Sequence, residues 1–344
     1  MFNCQYIANN KITMFPEKIF YEPDVENYTQ GRELLAKYSN RPSVKIESHN
    51  NIPELRQKPN SAFSELKNYL ILGVRKTHKY SENYKVSDYL VPYTSSGCSA
   101  SCLYCYLVCN YNKCSYLRIF VNREQMLDKL IKFSKKAEKD LCFEIGSNSD
   151  LILENTITKN LEYTIPEFAR RGKGFLTFPS KFSAVTPLLD LDHKGKTIFR
   201  MSVNPEYVIN TIEKGTASLK NRISALNQMC DAGYPVGLLI APVVLYENWE
   251  NDYANLISRL ADDLSEKVRN TGFIEIILMT YSYIHNAINT EAFPDAPSLY
   301  NKQTMTGRGR GKYCYKNNIR DECEQFIRNE VENNLPNMRI WYIS

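Results

Sequence analysis

Residues 89–105 read Tyr89-Leu90-Val91-Pro92-Tyr93-Thr94-Ser95-Ser96-Gly97-Cys98-Ser99-Ala100-Ser101-Cys102-Leu103-Tyr104-Cys105. A short apolar run is followed at once by a loop with three cysteines spaced CxxxCxxC. The run is the first of six, at residues 89–93, 141–145, 174–178, 197–203, 236–244 and 273–279. Between them lie segments with helical apolar spacing, such as Leu219, Ile223, Leu226 and Cys230, or Tyr253, Leu256, Ile257, Leu260 and Leu264. Short strands alternating with amphipathic helices predict βα units and a parallel sheet. Six such strands make either an open doubly wound sheet or a partial barrel, and in both the chemistry sits at the carboxyl ends of the strands. The cysteine loop occupies such an end.

Three thiolates this close in sequence can converge on one metal centre. Three ligands, where a closed site uses four, leave one iron of a 4Fe-4S cluster open to bind something else, which points to Cys98, Cys102 and Cys105 as ligands of a catalytic cluster. A structural zinc site completed by Cys109 or Cys114 is the alternative. The chain holds 10 cysteines, five of them between Cys98 and Cys114, and in a reducing compartment such clustering indicates metal or redox chemistry in preference to disulfides. The start, Met1-Phe2-Asn3-Cys4-Gln5-Tyr6, has no basic, apolar or cleavage-site pattern, so a cytoplasmic location is expected. The longest apolar stretch, residues 235–246, is interrupted by Gly237 and Pro242 and falls short of the roughly 18 residues of a membrane span.

With 43% hydrophobic and 12% aromatic residues in 344, the chain can bury a sizeable core, which excludes a disordered protein. A net charge of +5 permits an anionic partner without requiring one, so local clusters decide. One is evident: Arg308, Arg310, Lys312 and Lys316 alternate with Gly307, Gly309 and Gly311 and adjoin Tyr313 and Tyr315. Backbone that approaches phosphate closely, cations and stacking aromatics together suit a nucleic-acid-contacting hairpin. The expected organisation is an N-terminal extension packed on the barrel (1–85), the barrel itself (86–285), and a C-terminal extension with the basic hairpin (286–344), including a helix at about 318–333 and a last strand at 338–343.

The cysteine motif, with Tyr104 before its third cysteine, resembles that of radical S-adenosylmethionine enzymes. The likeness narrows to the spore photoproduct lyase family and extends over nearly the whole chain. It includes residues 102–107, Phe143-Glu144 with Ser149-Asp150, Lys181-Phe182, Gly195-Lys196-Thr197 with residues 199–204, residues 232–235 with Ala241-Pro242, and Gly311-Lys312-Tyr313. The resemblance implies a partial (β/α)6 TIM-type barrel of the radical S-adenosylmethionine kind, holding a 4Fe-4S cluster and S-adenosyl-L-methionine. It further implies a 5′-deoxyadenosyl radical that abstracts hydrogen from the methylene bridge of a thymine dimer in DNA, after which the bond between the thymines breaks and a hydrogen is returned. By motif match, Ser149, Lys181 and Ser202 would hold the methionine and ribose portions of the cofactor, with Ala241 near the adenine. Tyr104 and Tyr106 would relay the radical back toward the cofactor. Arg308, Arg310, Lys312 and Tyr313 would contact lesion-bearing DNA, and an electron donor such as a flavodoxin or ferredoxin and a monomeric state are expected.

Two positions depart from the family pattern. The family carries a Cys in a Cys-x-Ser-Asp arrangement that returns the hydrogen, and here Ser147 stands in its place. An alcohol O–H bond is too strong to surrender hydrogen to a carbon radical as a thiol does. Cys142 precedes the strand body and should face the far end of the barrel, whereas Cys314 would be an alternative donor if its segment folds over the mouth. Near the C-terminus the family tends to have Arg-Tyr before Gly-x-Gly-Lys-Tyr, and this chain has Gly307-Arg308. These changes leave open a relative with the same cofactors but another nucleic-acid substrate or hydrogen donor. A non-catalytic, zinc-binding nucleic-acid-binding protein is the reading from a different class.

Overall fold

The computed structural model describes residues 16–110 and 116–344. Seven parallel strands form the central sheet: β1 (Tyr89–Leu90), β2 (Cys142–Glu144), β3 (Phe175–Ser180), β4 (Thr197–Val203), β5 (Val236–Val243), β6 (Phe273–Leu278) and β7 (Arg339–Ile343). Each pairs with its neighbours in chain order, and Ser81–Glu82 adds an eighth, antiparallel strand beside β1. This order decides between the two architectures. A doubly wound sheet reverses its strand order once, whereas strands that follow one another in sequence all cross over on the same side and curl. The parallel run ends at β1 and β7, so the result is a partial barrel with helices outside.

The helices sit where the apolar spacing puts them. Leu219–Asp231 buries Leu219, Ile223, Leu226 and Cys230 and is capped by Ser218, whose hydroxyl accepts the Asn221 N–H. Trp249–Asp263 buries Tyr253, Leu256, Ile257 and Leu260. Inside the half-barrel, β2, β4 and β6 contribute one polar layer, the alternate-strand layering of TIM-type interiors. Arg200 on β4 donates to both carboxylate oxygens of Glu275 on β6, at 2.9 and 3.0 Å, and to Glu144 on β2.

Residues before β1 hold more order than their weak periodicity suggests. Lys18–Tyr21, Ser43–Lys45 and Tyr69–Gly73 pair in parallel in a second sheet, joined by Leu117–Phe120 from beyond the cysteine loop and, antiparallel, by Ser95–Ser96. Tyr69–Gly73 and Leu117–Phe120 are buried throughout. Strands covered on both faces show no polar alternation, and runs of three to five residues are too short to reveal a period. At the other end, Thr280–Ser282, Met305–Gly307 and Lys312–Tyr315 make a small antiparallel sheet, and the helix Asn317–Asn334 leads into β7. Among the described residues no helix is long and apolar enough to cross a membrane.

Candidate active site

A cavity of about 740 Å³ lies at the carboxyl ends of the barrel strands, and Cys98, Cys102 and Cys105 line it. The loop that carries them is held from three sides. Ser101–Cys102 pairs antiparallel with Glu213–Lys214, and the Leu103 N–H donates to the Ile212 carbonyl at 3.0 Å. From the N-terminal sheet region, Lys67, only 1% exposed, donates its ammonium to the Cys98 carbonyl at 2.8 Å. From the helix Tyr283–Ala292, Asn289 donates to the Leu103 carbonyl at 2.8 Å, and His285 Nε2–H donates to the Cys105 carbonyl at 3.0 Å. The His285 Nδ1 accepts the Ser282 N–H, and burial lowers the ring's pKa, so the neutral tautomer with hydrogen on Nε2 fits both contacts. Lys67, His285 and Asn289 carry no sequence signal, because each acts on backbone far away in the chain.

The thiols are unpaired, and burial pushes Cys98 up to about 12 and Cys102 well above the ordinary thiol range. A bare thiolate is therefore costly here, and a ligated metal cation would offset that cost. The side chain of Cys109 and all of Cys114 lie outside the described residues.

The expected cofactor residues line the same cavity. Lys181, just past β3, donates to Ser202 Oγ on β4, to the Ala241 carbonyl on β5 at 2.8 Å and to Glu213 Oε1 at 3.0 Å; Ser202 Oγ donates to the Ala241 carbonyl at 3.0 Å. Three strand ends are thereby tied into one polar wall. Glu213, fully buried, is the hub that sequence reasoning missed. It accepts from Lys181, from Asn204 at 2.8 Å, from Arg222 at 2.6 Å and from the Tyr104 hydroxyl. Burial works to raise its pKa, but the Arg222 and Lys181 charges outweigh it and hold the carboxyl down to about 2.

Ser149 lines this cavity, and its Oγ is buried with no hydrogen-bond partner among the described residues. A buried hydroxyl left without a partner is costly, and one on a cavity-wall residue suits a ligand's polar atom. Its neighbour Asp150 is committed to structure. The Asp150 carboxylate caps the helix Leu151–Thr158 and accepts from Ser180 Oγ and the Lys181 N–H, each at 2.8 Å to the nearer oxygen. With three thiols, an unsatisfied hydroxyl and apolar walls from Leu239, Pro242 and Ile277, the residues present fit a cluster with S-adenosylmethionine beside it.

Tyr106, 55% exposed at the cavity, donates its hydroxyl to the Ser147 carbonyl, so the tyrosine and the departing position meet. Tyr104 instead points at Glu213, and burial, then that charge, raises its phenol well above the ordinary value. Cys142 is the first residue of β2. It is buried, and its N–H donates to Asp88 at 2.8 Å. Cys314 pairs opposite Thr280, a residue of the cavity wall; directly opposed side chains share a sheet face.

Arg308 and Arg310 are exposed on the connection between Met305–Gly307 and Lys312–Tyr315, and Lys312 is exposed at the start of the second strand, with Tyr313 half-buried against Tyr300 at 4.7 Å. Gly311 (φ +68°) is required there twice over, since a Cβ would also lie 2.2 Å from the Tyr283 ring. None of these four residues lines the main cavity.

A family model described as spore photoproduct lyase matches residues 14–344. Spore photoproduct lyase of Bacillus subtilis (strain 168) is 31% identical over 338 residues, covering 96% of this chain and 98% of the relative. That of a Geobacillus species is 29% identical with the same coverage. Among solved structures, spore photoproduct lyase complexed with dinucleoside spore photoproduct has a TM-score of 0.89 at 28% identity, covering 96% of this chain and 99% of the other. A variant of that enzyme with bound AdoMet and dinucleoside spore photoproduct gives the same TM-score at 27%. The likeness runs from residue 14 to the C-terminus and so spans every element that builds the cavity, and the chain belongs to the spore photoproduct lyase family of radical S-adenosylmethionine lyases.

Proposed function

We propose that this chain reverses a thymine lesion of the spore photoproduct type in DNA. The observation that carries the reading is the meeting, in one cavity, of the three motif cysteines with Ser149, Lys181, Ser202 and Ala241. When bound, the cluster and S-adenosylmethionine supply a 5′-deoxyadenosyl radical, the hard chemistry of the reaction. Cys98, Cys102 and Cys105 hold the cluster. Ser149, Lys181 and Ser202 hold the methionine and ribose portions, and Ala241 faces the adenine. Leu239, Pro242 and Ile277 give the cavity an apolar wall beside which a radical meets fewer water molecules. Arg308, Arg310, Lys312 and Tyr313 grip the DNA while the lesion is drawn out of the stack, a cost of a few kcal/mol that phosphate contacts offset. An electron donor such as a flavodoxin or ferredoxin, a cytoplasmic location and a monomeric state complete the reading.

Ser147 favours one variant of it, with the same cofactors and a different hydrogen donor or nucleic-acid substrate. Tyr104 and Tyr106 relay the radical, Ser147 occupies the position from which the family's thiol returns hydrogen, and Cys314, opposite the cavity-wall residue Thr280, is the alternative thiol. The experiment is lesion repair by Ser147→Cys. Abstraction and fragmentation need no thiol at this position, so the parent should turn over slowly and release abnormal adducts, and Ser147→Cys should raise the yield of intact thymine from a lesion-containing dinucleotide. Equal, negligible repair by both, with normal uncoupled cleavage of S-adenosylmethionine, points to another substrate.

A further inference from the structure

A second cavity, of about 310 Å³, lies in the N-terminal sheet, lined by residues with no part in the chemistry above. Its position follows from topology. Lys18–Tyr21 lies between Ser43–Lys45 on one side and Tyr69–Gly73 on the other, all parallel. The chain leaves Lys18–Tyr21 for one side, through the helix Thr29–Lys37, and later crosses to the opposite side. Strand order therefore reverses between Lys18–Tyr21 and Tyr69–Gly73. At such a switch point the loops diverge, and a crevice opens beyond the carboxyl ends of the strands, where open parallel sheets bind ligands. The cavity occupies that crevice: Glu22 directly follows Tyr21, His49 comes from the loop after Lys45, Arg75 and Lys76 follow Gly73, and Arg118 comes from the adjacent strand Leu117–Phe120.

The wall selects the ligand's charge. Apart from Phe120, every lining residue is polar or charged, so an apolar ligand finds no complement. Arg75, Lys76 and Arg118 stand against two carboxylates, Glu22 and Glu47. Glu22 is already committed to the fold. Its Oε1 accepts the His49 N–H at 2.9 Å and lies 2.8 Å from His49 Nδ1, and its Oε2 accepts the Val74 N–H at 2.9 Å. That bracket ties strand ends together without removing the carboxylate's charge, so Glu22 and the exposed Glu47 together stand against the three cations and leave a surplus of one positive charge in the lining. Two of the cations are set in place. Arg118 is buried with Nε donating to Ser96 Oγ at 3.0 Å, and Arg75 Nε donates to the Tyr93 carbonyl at 2.9 Å with its guanidinium 3.8 Å over Phe120. Lys76 is exposed, 3.4 Å from Asp24, on a long stem that can turn to a ligand. Planar guanidinium groups with one ammonium make a set suited to phosphate oxygens.

We propose that this cleft binds a phosphate-bearing ligand, either a phosphodiester of a nucleic-acid strand or the phosphate of a free nucleotide. The test is calorimetric titration of the full chain with inorganic phosphate, adenosine monophosphate and an undamaged single-stranded oligonucleotide. Parent, Lys76→Glu, Arg118→Gln and Lys181→Ala are compared, the last reporting any phosphate lodged in the barrel cavity. Reversing the exposed Lys76 charge should weaken the bound probe by about tenfold or more, the worth of one charge-assisted contact, and Lys181→Ala should leave that affinity unchanged. Weakened oligonucleotide binding assigns the cleft to a strand; weakened binding of phosphate and mononucleotide alone assigns it to a free nucleotide. Absence of saturable binding by all three probes, or an affinity in folded Lys76→Glu within about twofold of the parent, overturns the proposal.

Discussion

Glu213 concentrates four side chains on one carboxylate, and Lys181 couples that hub to the cofactor wall. Removing its charge strands the buried Arg222, and breaking such a buried pair costs about 3–5 kcal/mol. Glu213→Gln should therefore lose that much stability in urea titration. The pH dependence carries the same signature. The folded carboxyl sits at about 2 against an ordinary 4.5, so its stabilisation is complete above about 4.5 and is lost as pH falls toward 2. The Gln variant should show a flatter acid limb across that window. Lys181→Ala and Ser202→Ala should each weaken S-adenosylmethionine by about tenfold in an equilibrium titration, the worth of one polar interaction. Unchanged affinity in both would remove these residues from the cofactor site. Lys181 was legible because it follows a strand in a recognisable motif. Glu213 was not, because its partners lie at Tyr104, Lys181, Asn204 and Arg222 and meet only on folding.

The cysteine loop is an element of low intrinsic order that other elements hold. Cys98→Ala, Cys102→Ala and Cys105→Ala should each abolish the cluster in iron and sulfide analysis after anaerobic purification, while Cys109→Ala and Cys114→Ala should retain it. Loss on changing Cys109 or Cys114 but not Cys98 would overturn the ligand set. His285→Ala and Asn289→Ala, which release loop carbonyls but touch no thiol, should leave the cluster assembled yet lost faster to air or chelator, with an altered electron paramagnetic resonance spectrum of the reduced state. The strands β1 to β6 were readable in sequence to within a few residues because helix and strand periods alternate cleanly across them. The strands of the second sheet were not: Tyr69–Gly73 and Leu117–Phe120 are buried throughout, which erases the polar half of the pattern, and Lys18–Tyr21 and Ser43–Lys45 are too short to show a period.

On the scale of the whole molecule, a net charge of +5 is too small for the protein's overall field to capture DNA, so binding must come from a local cluster. The hairpin at Arg308 and Arg310 projects two exposed cations next to Tyr313 and Tyr300. Arg308→Ala with Arg310→Ala should weaken oligonucleotide binding and lower the slope of log affinity against log salt by about one for each phosphate that is no longer neutralised. An unchanged slope would move the DNA-binding surface elsewhere.

By itself the sequence determined the alternation of strands and helices, the cysteine triplet at a strand's carboxyl end, and the residues that make the family likeness. All of these are local patterns of period, spacing and residue type. The family likeness also implied the partial barrel, which the strand order bears out; only the tertiary structure decided that Tyr106 meets Ser147 and that Lys67 and His285 clamp the cysteine loop. It alone showed a second parallel sheet with a cationic cleft at its switch point. The physical reason is common to them. Each depends on groups far apart in the chain whose pairing is selected by burial and hydrogen-bond satisfaction in the folded state, and no single stretch of residues carries that information.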